Sequence, residues 1–349
     1  MSAITPLPPA GPGARPSDTE TLLDVRGLVV DYLTPRGPAR AVDGVSFAIK
    51  RGEVFGLAGE SGCGKSTIAH AIMRLIKAPG QISGGQMVFD GQDILSLSPQ
   101  ALRRFRWSRA SIVFQSAMTA LNPVINLGEQ LVDAIMAHDS MSKRQALERA
   151  AELFKLVGIE SKRIKSFPHE LSGGMRQRAV IAMALALNPD LVIMDEPTTA
   201  LDVVVQRDIL QQIDDLKERF GFSIIFITHD LSLLVEFSTR IAIMYAGKIA
   251  ETAPAADLFR DPKHPYTVGL MNSFPSVSGA KKQLQGIPGS PPNLVAPPPG
   301  CRFAPRCPHV MAVCHTVEPD LRALTMAHRA ACHLYEREGR HASAIALNV

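Results

Sequence analysis

Val54-Phe55-Gly56-Leu57-Ala58-Gly59-Glu60-Ser61-Gly62-Cys63-Gly64-Lys65-Ser66-Thr67 is an apolar run that opens into a glycine-rich loop and closes on Lys-Ser-Thr. Val54 to Ala58 reads as a short buried strand, and Thr67 to Lys77 reads as a helix that stops at Pro79 and Gly80. The loop between them fits G-x-x-x-x-G-K-[ST] in the strand-loop-helix context that this pattern requires. Its glycines let backbone amides approach phosphate oxygens, Lys65 brings a point charge to the β- and γ-phosphates, and Ser66 offers a hydroxyl to magnesium. Gly59, Glu60, Ser61, Gly62, Cys63, Gly64, Lys65, Ser66 and Thr67 are thus candidate nucleotide-binding residues. Cys63 occupies a position where the pattern demands no particular side chain and reads as a small tolerated residue. By itself the motif implies a nucleotide and nothing more.

Around this loop the chain reads as α/β. Leu22 to Lys50 alternates apolar and polar residues about Pro35 and Gly37, as two antiparallel strands and a turn would. Met87 to Ile94 and Ser111 to Phe114 read as further strands. Between Asn122 and His169 the pattern turns helical, with Ala146, Ala150, Leu153 and Leu156 near one face of a helix over Gln145 to Val157. Val192 to Met194 and Ile224 to Ile227 are continuous apolar runs of the kind found in central parallel strands, and Val203 to Phe220, closed by Gly221, is the helix between them.

Bulk properties narrow the class. The 349 residues exceed the roughly 250–300 at which a single core stops growing, so one main domain with an appendage is expected. Lys and Arg outnumber Asp and Glu by 37 − 33 = 4, an ordinary solvated surface. The longest apolar run, Ala179 to Leu187, falls short of the about 20 residues that span a bilayer. The Pro-, Ala- and Gly-rich start lacks the basic and apolar regions of a signal peptide and reads as a disordered lead, so a cytosolic protein is expected. The basic run Arg103, Arg104, Arg106 and Arg109 around Trp107 resembles a nucleic-acid strip, but so short a run reads more simply as a solvated helix face.

Asp195 closes the run Leu191 to Met194, where a buried carboxylate needs compensation of the kind a magnesium ion supplies; a salt-bridged core aspartate is the alternative. Glu196 beside it is placed to orient or deprotonate a water, and His229 ends the next strand. Upstream, Leu171-Ser172-Gly173-Gly174-Met175-Arg176-Gln177-Arg178 puts a side-chain-poor edge ahead of an apolar helical run, a second place where amides and a helix dipole face a phosphate. One nucleotide does not need two cradles, so the surplus implies a partner.

This order of motifs, over residues 22–252, resembles the ABC-type ATPases. The resemblance implies a P-loop NTPase fold with an antiparallel β subdomain, a helical insert at about 118–170, and MgATP as substrate. It places Tyr32 on the adenine, makes Gln115 a magnesium sensor that touches membrane subunits, and groups Ser66, Gln115 and Asp195 about magnesium. Lys65, Glu196 and His229 become catalytic. Ser172, Gly173, Gly174 and Gln177 face the ATP of a second cassette, and Ala200-Leu201-Asp202 becomes the loop through which paired cassettes communicate. From the residues alone, Tyr32 equally reads as a half-buried strand tyrosine and Asp202 as the N-cap of its helix.

The segment Met118-Thr119-Ala120-Leu121-Asn122-Pro123, the stretch His264-Pro265-Tyr266-Thr267 and the run Gly300 to Pro308 are similar to oligopeptide and dipeptide importer ATPases, a group with nickel-importing relatives. A peripheral subunit at the cytoplasmic face is therefore expected, working with a second and different ATPase chain, two permease subunits and an extracytoplasmic binding protein. The alternatives are import of nickel or another small solute, and a soluble ATPase acting on nucleic acid. Residues 1–21 form the lead and 253–349 a C-terminal extension, Pro- and Gly-rich at first and then cysteine-bearing. Cys301, Cys307, Cys314 and Cys332 suggest one metal site; their spacing leaves zinc and iron-sulfur both open, with His309, His315, His328 and His333 as further zinc donors. The resemblance favours a 4Fe-4S cluster on the four thiolates, clipping a segment poor in large apolar residues.

Overall fold

Val54–Ala58 is buried at all five positions and forms a strand, as its sequence requires. It lies in a computed structural model that describes residues 20–114, 120–198, 201–273 and 286–336. In chain order the strands are β1 (Thr21–Thr34), β2 (Gly37–Lys50), β3 (Val54–Ala58), β4 (Gly80–Phe89), β5 (Gln92–Asp93), β6 (Ala110–Val113), β7 (Leu191–Asp195), β8 (Ser223–Ile227), β9 (Arg240–Tyr245), β10 (Lys248–Pro254), β11 (Arg322–Ala323) and β12 (Arg329–Ala330). The helices are α1 (Lys65–Ile72), α2 (Pro99–Ser108), α3 (Leu127–Met136), α4 (Lys143–Leu156), α5 (Gly173–Ala184), α6 (Val203–Phe220), α7 (Leu231–Phe237), α8 (Ala255–Arg260) and α9 (Pro265–Asn272).

The described residues fall into two compact units. The first takes Ala48–Val54 and Val88–Ile227, with the residues just before Val25. Its sheet runs β6-β7-β8, all parallel, with Ala110 opposite Leu191 and Leu191 opposite Ser223. Every residue of β7 and β8 is buried, which explains why both read as unbroken apolar runs. Helix α6 makes the crossover between them, starting on the Asp202 side chain, which accepts the Val205 N–H at 3.0 Å, and stopping at Gly221 with φ 73°. Helix α4 opens with a capping box, Ser142 and Gln145 each bonding the other's backbone N–H. The basic run is a surface feature: Arg103 and Arg104 are exposed, while Arg109 pairs with Asp90 and Asp190. Trp107 leaves the helical conformation at φ 73° and donates its indole N–H to the Met183 carbonyl at 2.6 Å.

The second unit takes Val25–Phe47, Phe55–Met87 and the described residues from Thr228 on. Its strands are ordered β11-β12-β10-β9-β3. β3 and β9 are parallel, whereas β9, β10, β12 and β11 are joined antiparallel in turn. The sheet therefore draws a strand from the cysteine-rich tail, Glu251 pairing with Ala330 and Thr252 with Arg329. Nothing in the local sequence announced this. Helix α1 is shorter than the expected Thr67 to Lys77, because the Met73 N–H caps it and Arg74 takes a left-handed φ of 49°. The strand expected over Met87 to Ile94 is interrupted at Asp90 and Gly91, both at positive φ, so β4 and β5 form a hairpin there.

Candidate nucleotide site

The loop between β3 and α1 is shaped by backbone positions that only glycine satisfies. Gly59 has φ 145°, and a Cβ there would lie 2.2 Å from the Met244 carbonyl oxygen. Gly64, the N-cap of α1, has φ 108°, and its Cβ would lie 2.3 Å from the Ala41 carbonyl oxygen. Lys65 is buried, and its ammonium donates to the carbonyls of Gly59 at 2.7 Å and Glu60 at 3.0 Å, with the Cys63 sulfur at 3.6 Å. These acceptors hold the ammonium over the loop, where a phosphate would lie. Cys63 is buried, and that burial pushes its thiol above the ordinary range, so it is an inert filler. Ser66 and Thr67 open α1 and stay partly accessible, and Ser61 and Gly62 are exposed. Tyr32 is half-buried on β1 and packs where a Cβ on Gly80 would stand 2.7 Å from its ring.

In the other unit, Asp195 is 3% exposed at the end of β7. Glu196 follows it at φ 52°, a left-handed conformation that a non-glycine residue adopts at a cost of order 1 kcal/mol, and its N–H bonds the Ile227 carbonyl at 2.8 Å. His229 lies just beyond Ile227 and is exposed; it belongs to the second unit. Ser172 caps α5 by accepting the Met175 N–H, leaving the Gly173 and Gly174 end of the helix partly open. A Cβ on Gly174 would stand 2.7 Å from the Val205 side chain, so glycine is needed where α5 approaches α6. Gln177 is buried, and Asp202 is the exposed cap of α6. Gln115, Met118, Thr119 and Ala200 lie outside the described residues.

The cysteine-rich tail differs from its expectation. Among the described residues no three His, Cys, Asp or Glu side chains are gathered as a metal-holding group. Two of the four histidines offered as zinc donors have other partners: His328 Nε2 meets Glu251 at 2.6 Å, and His333 bonds the Val317 carbonyl and Glu336. His309 and His315 are exposed. Burial pushes the Cys332 thiol up to about 12, with smaller contributions from Cys307, Cys301 and Cys314. Burial likewise pushes Cys307 up to about 11. Amide N–H groups of His309 and Met311 point at the sulfurs of Cys307 and Cys314, each at 3.4 Å. The tail has protein contacts of its own: Arg302 reaches the Ala246 carbonyl and Asp43, and Phe303 packs among Tyr245, Tyr266 and His264. No signal in the sequence singled out Arg302, Arg306 or Glu251, whose partners lie tens to hundreds of residues away.

Residues 42–199 match the family model for ABC transporters, and residues 250–314 match the model for the C-terminal region of oligopeptide/dipeptide transporters. The chain is 47% identical to a protein of Sinorhizobium fredii described as a probable peptide ABC transporter ATP-binding protein, over 90% of this chain and 95% of that one. It is 43% identical to the dipeptide transport ATP-binding protein DppD of Bacillus subtilis, over 93% and 97% of the two chains. With the oligopeptide transport ATP-binding protein OppD of Escherichia coli it shares 44% identity over 90% and 93%. Among solved structures, a dimeric ATP-binding cassette in a post-hydrolysis state with ADP and phosphate matches with TM-score 0.60 and 29% identity, covering 67% of this chain and 98% of that one. A component of the ABC transporter complex cbiONQ from Clostridium perfringens matches with TM-score 0.61 and 27% identity, covering 69% and 91%.

Proposed function

We propose a role for each site residue from one premise: the chain belongs to the ABC transporter family, among its oligopeptide and dipeptide transport ATP-binding proteins. It is an ATPase that powers peptide import by an ABC transporter, and it works in a complex with membrane permeases. The observation that carries this reading is the presence, in one chain, of the cassette match and the peptide-transporter C-terminal match.

In our reading residues 22–252 are the cassette, with a helical insert at about 118–170, and 253–349 the extension. ATP lies on the loop from Gly59 to Thr67, with the adenine on Tyr32. Ser66, Gln115 and Asp195 are hard oxygen donors of the kind magnesium takes, and the buried Asp195 carboxylate is where a cation is most useful. Magnesium there would neutralise charge on the β- and γ-phosphates. Lys65 exchanges the carbonyls of Gly59 and Glu60 for phosphate oxygens. Glu196 orients a water and takes its proton as the water oxygen attacks the γ-phosphorus and the bond to ADP breaks. His229, exposed beyond β8, steadies the γ-phosphate.

Ser172, Gly173, Gly174 and Gln177 complete the site of a second cassette, a different chain, and Asp202 links the two. ATP closes the pair because it binds the closed state more tightly, and hydrolysis releases it. The complex holds two permease subunits and draws on an extracytoplasmic binding protein, with this chain at the cytoplasmic face. No described helix is long and apolar enough to cross a membrane, which fits a peripheral subunit.

The tail thiols suit a soft metal in kind: Cys301, Cys307, Cys314 and Cys332 are four sulfur donors within one segment, and amide donors aim at two of them. A 4Fe-4S cluster on Cys301, Cys307, Cys314 and Cys332 is the reading that the family resemblance favours over zinc; of the histidines that could serve zinc, His328 and His333 have other partners. Iron and acid-labile sulfide in anaerobically purified protein test it, and the absence of both refutes it. For the ATPase role, Glu196→Gln should abolish ATP turnover in the assembled complex while leaving ATP bound; intact turnover overturns the assignment.

A further inference from the structure

Glu60, second residue of the phosphate loop, is held from two directions by residues 206 and 246 positions later in the chain. Its backbone N–H donates to the Tyr266 hydroxyl at 2.9 Å. Its carboxylate takes a fork from Arg306, Nη1 to Oε2 at 2.7 Å and Nη2 to Oε1 at 2.9 Å. Two parallel bonds of this kind fix direction as well as distance, which a lysine cannot do. The Arg306 side chain is 5% exposed and that of Glu60 25%, so the pair escapes much of the screening that weakens surface pairs.

The guanidinium is itself immobilised. Its remaining donors go to the carbonyls of Pro288 and Ile287 and to the Tyr245 hydroxyl. Tyr266 is fully buried and packs on Tyr245 at 4.5 Å and Phe303 at 5.4 Å between ring centroids. Arg306 ends a 3₁₀ turn, Ala304–Arg306, bracketed by cysteines: the Ala304 N–H bonds the Cys301 carbonyl and the Cys307 N–H bonds the Ala304 carbonyl. At the loop end, the carbonyls of Gly59 and Glu60 are the rest position of the Lys65 ammonium. Turning residue 60 therefore displaces the charge meant for the phosphates.

We propose that Arg306 and Tyr266, contributed by the C-terminal extension, are positioning residues for the phosphate loop, fixing Glu60 at its amide and its carboxylate so that ATP meets a preformed cradle. Ligand affinity then includes no cost of ordering the loop. The extension, usually remote from the chemistry in sequence, sets how tightly nucleotide binds. This rests on residues 59–67 being the ATP-binding loop.

The test is MgATP titration onto the full-length chain, together with KM and kcat for ATP in the assembled complex. Arg306→Gln and Glu60→Gln should each weaken MgATP binding about tenfold, the scale of one charge-assisted hydrogen bond, and Arg306→Gln should raise KM with kcat nearly unchanged. The double variant should be no weaker than either single one, since both break the same contact. Arg306→Lys should recover part of the loss. Tyr266→Phe keeps the ring packing and should weaken binding about threefold through its missing hydroxyl. Wild-type affinity in folded Arg306→Gln and Tyr266→Phe, or additive losses in the double variant, overturns the proposal. A wild-type chain that binds no MgATP overturns the nucleotide reading and this proposal with it.

Discussion

His264 should make the stability of this chain fall as pH drops below neutrality. Its ring is fully enclosed, and burial lowers its pKa from 6.5 to about 4. Nδ1 accepts the Tyr266 N–H at 3.0 Å and so caps α9, a duty that only an unprotonated nitrogen can perform. The unfolded chain, with an ordinary histidine, binds a proton between pH 6.5 and 4 that the folded chain refuses. The neutral folded form is thus fully favoured above 6.5, and stability is lost as pH falls from there toward about 4. At about 1.4 kcal/mol per pH unit, the loss over this interval comes to roughly 3 kcal/mol. Other carboxylates and histidines titrate in the same range, so the measurement is a difference. His264→Asn keeps a side-chain acceptor at the cap and removes the titration. Urea unfolding of both proteins at pH 7.5, 6.5, 5.5 and 4.5, followed by circular dichroism, should show the wild type losing stability relative to the variant by roughly 2 kcal/mol or more. Parallel curves at all pH values would refute the reasoning.

Glu251 is fully buried and accepts from the N–H groups of Lys263 and His264 and from His328 Nε2, so it joins β10 to the tail. Glu251→Ala strands these buried donors and should lower unfolding free energy by about 3 kcal/mol or more in urea, whereas an unchanged midpoint would show that the network is dispensable. Gly64→Ala drives a Cβ against the Ala41 carbonyl at a φ that side chains avoid. MgATP affinity should fall at least about tenfold, because the first amides of α1 must move; calorimetry that finds wild-type affinity contradicts the shape argued for the loop. Gly174→Ala forces the Val205 side chain to shift where α5 meets α6, and should reduce ATP turnover of the assembled complex several-fold, roughly 1 kcal/mol in the barrier, while this chain's own MgATP affinity holds.

What could be read from the sequence was what is local. Val54 to Thr67 announces strand, loop and helix because burial, glycine freedom and the lysine follow one another directly. Val203 to Phe220 is bounded by its own Asp202 cap and Gly221 stop, and the structure keeps both bounds. The end of α1 was less legible, since Arg74 turns left-handed without a glycine or proline to mark it. Least legible was the tail. A two-residue strand such as β12 carries no periodicity, and its pairing with β10 is fixed by Glu251 and His328, 77 residues apart. Glu60 was legible as a loop position and Arg306 as part of the run Gly300 to Pro308, but nothing in the sequence paired the two across 246 residues. Two of the four histidines read as alternative zinc donors have structural partners that only folding reveals, His328 on Glu251 and His333 on Val317.

The most direct test of the account is uptake of a labelled peptide into proteoliposomes that hold this chain, its partner ATPase, the permeases and the binding protein. The account predicts uptake that requires MgATP and disappears with Glu196→Gln. ATP turnover that DNA or RNA stimulates and the membrane subunits do not, with no peptide accumulating, would contradict it.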